Sequence, residues 1–319
     1  MRAIVYDRYG GVDRLRLAHV PVPTPGSTEV LIQVAATSIN LSDWEGLHGS
    51  PAYARFGGLT RPHRKILGSD IAGRVVAVGA DVTRWRIGDE VYGDTMPRLG
   101  GFAEYAVVPA SALAEVPAGL ALIEASTIPQ AGAIALQAVA RAKPGERMLL
   151  NGGGGGTGMF AIQLARAAGI HVTAVDNADK LAFMRELGAD DVLDYRARDF
   201  TTTGPYDLIV DLVAARSVFA YRRALAPGGR YWMVGGTGRT ILRVLTLGTL
   251  VGALSGRRIG VMAVRQGPEH FSPLAQRVID GDVSVRIDRA FPLDEVAAAL
   301  THHGEGRALG KVVITPQGA

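Results

Sequence analysis

The sequence contains no cysteine. That excludes disulfides, thiolate zinc sites and a cysteine nucleophile together. A long apolar run is also missing. The most apolar stretch, Val244 to Leu254, is about half of what a helix needs to cross a bilayer, and Arg243 and Arg257 bound it. The first residues, MRAIVYDRYGG, lack the apolar region of a secretory signal, so the expected location is cytoplasmic. No charge dominates: 34 Lys and Arg against 30 Asp and Glu leave a net +4, and no long basic run occurs. Nucleic acid is therefore not expected as a partner, and neither is a membrane span.

What is present describes an ordinary globular chain. Its 319 residues are 48% hydrophobic and 20% charged, enough for about two domains with real cores. Residues 1–35 and 66–116 read as many short strands separated by Gly and Pro turns, which predicts a compact β barrel or sandwich. Val30–Val34, Ile71–Gly79, Phe102–Val108 and Ala112–Val116 are among these strands. From about 120 the pattern changes. Leu122 to Arg141 is Ala-rich with helical spacing, and after Pro144-Gly145 strands alternate with helices. Met148–Leu150, Val172–Val175, Asp191–Tyr195, Tyr206–Leu212, Arg230–Gly235 and Ile259–Val264 predict a six-stranded parallel sheet. The tail, 284–315, carries strand and helix patterns again and is expected to return to the first domain.

The stretch from Met148 to Asp176 is the most informative. A short apolar run leads into five glycines, Thr157 and Gly158, then a helical pattern, a second strand and a terminal acid. Gly153, Gly155 and Gly158 fill G-x-G-x-x-G, the turn that brings a dinucleotide pyrophosphate to a helix start. Gly153 is expected to make the tight turn, Gly155 to let backbone approach the phosphates, and Gly158 to let the helix pack on its strand. Asn151, Gly156 and Thr157 complete the turn, and Gly235 and Val264, at the ends of the fifth and sixth strands, join the expected cofactor set.

Seven local patterns stand in a characteristic order: Ala36-Thr-Ser-Ile-Asn40 with Asp43, Leu67-Gly-Ser-Asp70 with Gly73, Gly88-Asp-Glu-Val91, Gly101-Phe-Ala-Glu-Tyr105, Asn151 to Gly158, Leu187-Gly-Ala-Asp190 and Gly310-Lys-Val-Val313. Over essentially the full chain they resemble the medium-chain dehydrogenase/reductase superfamily, in particular its zinc-independent quinone oxidoreductase-like branch. The resemblance implies a GroES-like domain over 1–118, completed by 285–319, and a Rossmann-type doubly wound domain over 119–284, with small substrates in a cleft. Where zinc-using relatives place a Cys and a Gly-His-Glu, this chain has Asn40 and Gly68-Ser69-Asp70. Asp43 and Asp70 are a poor remnant of a metal site, so no zinc is expected. Without that Lewis acid the expected reaction is hydride transfer from NADPH or NADH to an acceptor already electron-poor, a quinone or an enone. The alternatives are a metal-free alcohol dehydrogenase-like enzyme and a nucleotide-binding protein with little turnover.

Three residues are catalytic candidates. Asn40 would donate its amide to a substrate oxygen, or cap a local turn. Asp43 would orient neighbours or cap the next helix. Tyr53 would give an acidic O–H to a developing oxyanion, or simply pack. Trp44, Phe56 and Met262 are candidate walls for an apolar carbonyl or quinone substrate. At the ribose, Asp176 favours NADH by accepting from a 2′-hydroxyl and repelling a 2′-phosphate. Lys180 and Tyr195 resemble residues that hold the 2′-phosphate of NADPH, unless Lys180 is a solvated helix charge and Tyr195 an adenine cover. Dual use is the reading that accommodates both. The sixth strand, Arg258 to Val264, is an apolar sheet edge, and the resemblance implies a homodimer joined there. Ile241 to Leu254 would border that seam or form a lid over the substrate cleft.

Overall fold

The computed structural model describes residues 1–317 apart from Gly57 and Pro97. Two compact units are present, Met1–Ala133 with Gln266–Ala319, and Ile134–Arg265. The strands run β1 Arg2–Val5, β2 Arg16–His19, β3 Glu29–Ser38, β4 Asp70–Val78, β5 Glu90–Asp94, β6 Tyr105–Pro109 and β7 Leu113–Glu115. They continue with β8 Arg147–Asn151, β9 His171–Asp176, β10 Asp191–Asp194, β11 Tyr206–Asp211, β12 Leu225–Met233, β13 Arg258–Val261, β14 Ile287–Pro292 and β15 Lys311–Thr315.

In the first unit a seven-stranded sheet takes the order β14-β15-β3-β4-β5-β7, with β6 also on β3. β3 is its spine because Val30, Ile32 and Val34 are fully buried and pack with Val75, Trp85, Val91 and Val108. The chain's tail returns as expected. β15 pairs antiparallel with the end of β3, Val313 opposite Ser38, and its Ile314 joins Ile39, Leu47, Phe102 and Leu300 in a second core.

The second unit is the expected parallel sheet, in the order β10-β9-β8-β11-β12-β13. Met148-Leu149-Leu150 and Leu208-Ile209-Val210 are fully buried, as a parallel sheet covered on both faces requires. Numbered from β8, the order is that of the dinucleotide-binding fold, and the direction of strand addition reverses between β8 and β11.

Several boundaries differ from the sequence reading. The helix expected over Leu122–Arg141 is broken into Leu122–Ala125 and Pro129–Val139. Pro129 has no N–H to give and crowds the residue before it, so a new helix starts there. The fifth strand begins at Leu225 rather than after Pro227-Gly228-Gly229. Those residues form an irregularity within it, since Leu225 faces Tyr206 while Arg230 faces Leu208. The sixth strand stops at Val261, leaving Val264 beyond it. Residues 119–133 and 266–284, which the sequence reading grouped with the Rossmann domain, lie in the first unit. Side chains hold them there: Phe271 packs edge-on against Tyr92 with centroids 5.2 Å apart, and the Gln130 N–H donates to Asp70 Oδ1 at 3.2 Å. Among the described residues no helix is long and apolar enough to cross a membrane.

Candidate cofactor site and buried polar cluster

β8 ends at Asn151, and the helix Gly156–Ala167 begins after the glycine turn. The left-handed residue of that turn is Gly152, at φ +93°, and not Gly153. The Gly152 and Gly153 N–H groups both donate to Val175 O, at 2.9 and 3.0 Å, which folds the turn over the end of β9. Gly153 instead needs its bare Cα for packing, because a Cβ would lie 2.8 Å from Met184 Sδ. A Cβ on Gly158 would fall 2.2 Å from Gly153 O, so the helix presses directly on the turn. At Gly155 the nearest atom to an added Cβ is Gly152 O, 3.9 Å away. The helix start is thus open above Gly155, and no side chain caps it among the described residues. Free N–H groups, the positive end of the helix dipole and an open cradle fit a pyrophosphate.

Asp176, at the end of β9, is engaged from within. Its Oδ2 accepts from the Gly154 N–H at 2.9 Å and its Oδ1 from the Asn177 N–H at 2.9 Å, with Lys180 Nζ 3.8 Å away. Lys180 is therefore not a solvated helix charge: it is buried at 6% exposure and offsets the Asp176 carboxylate. Tyr195 is 40% exposed, and its N–H donates to Asp176 O at 3.1 Å. The Arg196 guanidinium lies 5.4 Å from the Tyr195 ring centroid, and Arg216 Nη2 donates to Tyr195 O at 3.5 Å. Neither arginine is among the site residues expected from the sequence. Adjacency to Tyr195 signalled Arg196, but Arg216 arrives from the loop after β11 and had no local signal.

Asn151 points the other way. Its Nδ2 donates to Asp211 Oδ1 at 2.8 Å, tying β8 to β11 where strand addition reverses. Asp211 also accepts from Val213 N–H, Ala214 N–H and Tyr231 O–H, and so holds Ala214 at φ +55°. A non-glycine residue held there is strained backbone beside a ligand-binding position of this fold. Gly235 follows Val234, whose N–H donates to Asp211 O at 2.9 Å. Val264 precedes Arg265, which Gln137 clamps through both its N–H (2.9 Å) and its carbonyl (3.0 Å).

The first unit carries the other set of candidates. Asn40 precedes the helix Leu41–His48, and its N–H donates to Asp43 Oδ2 at 2.9 Å, half of a capping box. Asp43 is fully buried and also accepts from the Gly68 N–H and the Ser69 hydroxyl, both at 3.1 Å. Asp43 thereby caps the start of this helix and holds the turn at Gly68. Asn40 differs from expectation. Its Nδ2 donates to Ser69 Oγ (3.1 Å) and Asp70 Oδ2 (2.8 Å), while its Oδ1 accepts from Lys311 Nζ at 2.7 Å. Both amide hydrogens are committed inside the protein, which leaves neither for a substrate oxygen.

Asp43, Asp70 and Asp94 surround this network with Lys311 as the buried cation. Burial pushes the Asp43 carboxyl up to about 7, against the hydrogen bond from Asn40. Burial, aided by the neighbouring Asp70, pushes Asp94 up to about 7 as well. Burial raises Asp70, while Lys311 opposes the rise; burial also lowers Lys311, which Asp70 holds up. Among the described residues no group of three or more His, Asp or Glu side chains is arranged to hold a metal ion. The donor chemistry is also unsuited to a dication, because the Lys311 ammonium already answers Asn40 Oδ1 and Asp70.

Tyr53 does not sit as an acidic donor. Its hydroxyl donates to the Glu45 carboxylate at 3.0 Å, and burial together with that neighbouring charge raises its pKa. Among the candidate walls, Met262 is buried, Phe56 is 88% exposed, and Trp44 packs on His48 and against Gly304.

Comparison with known proteins agrees with this architecture. Residues 26–118 match the alcohol dehydrogenase GroES-like domain, and residues 187–314 match a family described as zinc-binding dehydrogenase. A chloroplastic quinone-oxidoreductase of Triphysaria versicolor is 30% identical over 99% of this chain and 98% of its own. A 2-methylene-furan-3-one reductase of Solanum lycopersicum is 31% identical over 99% of this chain and 79% of its own. The structure of the quinone oxidoreductase from Coxiella burnetii superposes with a TM-score of 0.89 at 30% identity, covering 99% of each chain. The GroES-like sheet, the dinucleotide-binding sheet with its open glycine cradle, and relatives matched end to end place the chain in the medium-chain dehydrogenase/reductase superfamily, among its quinone oxidoreductase-like NAD(P)H oxidoreductases.

Proposed function

We propose that the protein transfers hydride from NAD(P)H to a quinone or an activated alkene, without a catalytic metal. The observation that carries this reading is the Lys311–Asn40–Asp70 arrangement. At the positions of the zinc ligands of relatives it has two neutral side chains, Asn40 and Ser69, beside a buried ammonium. A site that cannot polarise an unactivated carbonyl through a metal suits an acceptor whose own electron deficiency drives addition. The names of the two plant relatives, a quinone-oxidoreductase and a furanone reductase, support the same acceptor class.

When bound, the nicotinamide supplies the hydride; the protein contributes position and protons. The open helix start at Gly155 and Gly156, with Thr157, would hold the pyrophosphate. Asp43 and Asp94, pushed up to about 7, keep protons within the buried cluster near neutral pH. Asn40 and Asp43 act in this reading as positioning residues for Ser69 and the turn at Gly68. Both cofactors are accepted, with NADPH favoured. Lys180 offsets Asp176, and Arg196 and Arg216 flank Tyr195 where a 2′-phosphate would lie. A homodimer joined through the edge of β13 completes the reading, since that strand pairs only with β12 among the described residues.

Steady-state oxidation of NADH and NADPH against a panel of quinones, enones and simple aldehydes, with and without a strong chelator, tests it. Turnover of quinones or enones, unaffected by chelator, is expected. Turnover restricted to aldehydes, or chelator-sensitive activity with stoichiometric zinc, overturns it. Cofactor binding without turnover of any acceptor would instead favour a nucleotide-binding role, for which the same glycine cradle suffices.

A further inference from the structure

We infer that the outward face of the helical segment from Gly238 to Leu254 docks on an anionic lipid surface. Its first support is charge. Between Leu212 and Pro268 the sequence has nine arginines and no Asp, Glu or Lys, whereas the rest of the chain holds more acids than bases. Only three of the nine have acidic partners among the described ion pairs: Arg216 and Arg223 lie near Asp199, and Arg230 pairs with Glu146. Arg222, Arg239 and Arg258 are exposed, without an ion-pair partner among the described residues. Such a stretch is a net positive segment in a chain of nearly balanced charge.

The second support is the helix within that stretch. It runs as Gly238–Arg243, a π turn at Val244–Gly248, and Thr249–Leu254. Val244, Gly248 and Gly252 face the protein. A Cβ on Gly248 would lie 3.0 Å from Ile259 Cγ2, and one on Gly252 3.0 Å from Arg257 O, so this side is seated closely on β13. With that side fixed, Leu242, Leu245, Leu250 and Leu254 are left 64%, 54%, 57% and 81% exposed. Several leucines left in water on one short helix mark a surface that something covers. Exposed Arg239 stands before them and exposed Arg258 after them. A segment of this length spans roughly 25 Å, enough to lie in a headgroup layer with leucines inserted and arginines among the phosphates.

Charge also selects the occupant. A second copy docked by this face would set arginine against arginine, with no acid in either stretch to answer them. Anionic headgroups complement both features, and each arginine near such a surface strengthens binding about fivefold. Docking requires neither cofactor nor turnover. It would place the protein at the phase in which apolar acceptors concentrate.

The full-length protein is mixed with vesicles of phosphatidylcholine alone, or with one third phosphatidylglycerol, and floated through a density gradient. Binding to the anionic vesicles, weakened at high salt and absent on neutral ones, is expected. The triple variant Leu242→Ser, Leu250→Ser, Leu254→Ser should bind at least tenfold more weakly. Arg239→Gln with Arg258→Gln should bind about twenty-five-fold more weakly. Leu254→Ser alone, at the most exposed position of the four, should bind severalfold more weakly and guards against misfolding of the triple variant. No flotation with anionic vesicles, or leucine variants that bind as tightly as the parent, overturns the inference. So does a leucine variant that converts a lipid-free dimer to monomer, because the face would then belong to a second copy.

Discussion

Lys311 Nζ lies 2.7 Å from Asn40 Oδ1 although the two residues are 271 positions apart. The contact closes the first unit: the start of β15 is bound to the residue that opens the helix Leu41–His48, and through it to Asp70 on β4. Both side chains are nearly or fully buried, and the ammonium is the cation that answers three buried carboxyl groups.

Removing that cation leaves carboxylates without a partner in a dry environment. Lys311→Met is expected to lower unfolding free energy by about 3–5 kcal/mol in urea titrations near neutral pH. Asp70→Asn in the same background should recover part of the loss, since the two changes act on one network. A loss below about 1 kcal/mol would show that the ammonium is not the cluster's counter-ion.

The same carboxyl groups set a pH dependence. Asp43 and Asp94 move from the ordinary 3.8 to about 7 in the folded chain, so the folded state binds more protons than the unfolded state between those values. Their contribution to stability is therefore fully present below about 3.8 and is lost as pH rises through about 7. Denaturation midpoints followed across that window should isolate it: Asp94→Asn is expected to flatten the fall by removing one of the two titrating groups. An unchanged slope in the variant would place the titration elsewhere.

Cofactor choice should follow the ribose end of the site. Lys180→Ala removes a cation and exposes the charge of Asp176, so kcat/KM for NADPH relative to NADH is expected to fall about tenfold or more. Asp176→Ser should shift the ratio the other way but by less, because Lys180 already offsets the carboxylate. Arg216→Gln should weaken NADPH alone. If none of the three alters the ratio, the 2′-phosphate is not read at this end of β9 and β10.

The dimer is open to a backbone test. The Met262 N–H donates inward to Met233 O at 2.8 Å, so by alternation the N–H of Val261 faces the open edge of β13. Val261→Pro should then block edge pairing while sparing the ladder to β12. Light scattering over a dilution series is expected to show a dimer for the parent and a monomer for the variant. A parent mass near 33.6 kDa at high concentration would remove this strand from any interface.

The sequence by itself determined the architecture, and the reason is local. Apolar triplets such as Met148-Leu149-Leu150 and Leu208-Ile209-Val210, bounded by turn residues and alternating with helical patterns, read as buried strands of a covered parallel sheet, and Gly153 and Gly158 exclude a Cβ where helix and turn meet. Alternating residues in β3 and the return of Val312-Val313-Ile314 fixed the other sheet in the same way. The roles of polar side chains were not legible, because they depend on which partners the fold brings to each of them, whether near in sequence or far along the chain. Only the tertiary structure spends the Asn40 amide on Ser69, Asp70 and Lys311, turns Tyr53 to Glu45, buries Lys180 against Asp176, and brings Arg216 to Tyr195. A hydrogen-bond donor or a charge acquires its function from what stands within about 4 Å of it, and residue spacing in a chain that folds back over hundreds of positions does not specify that.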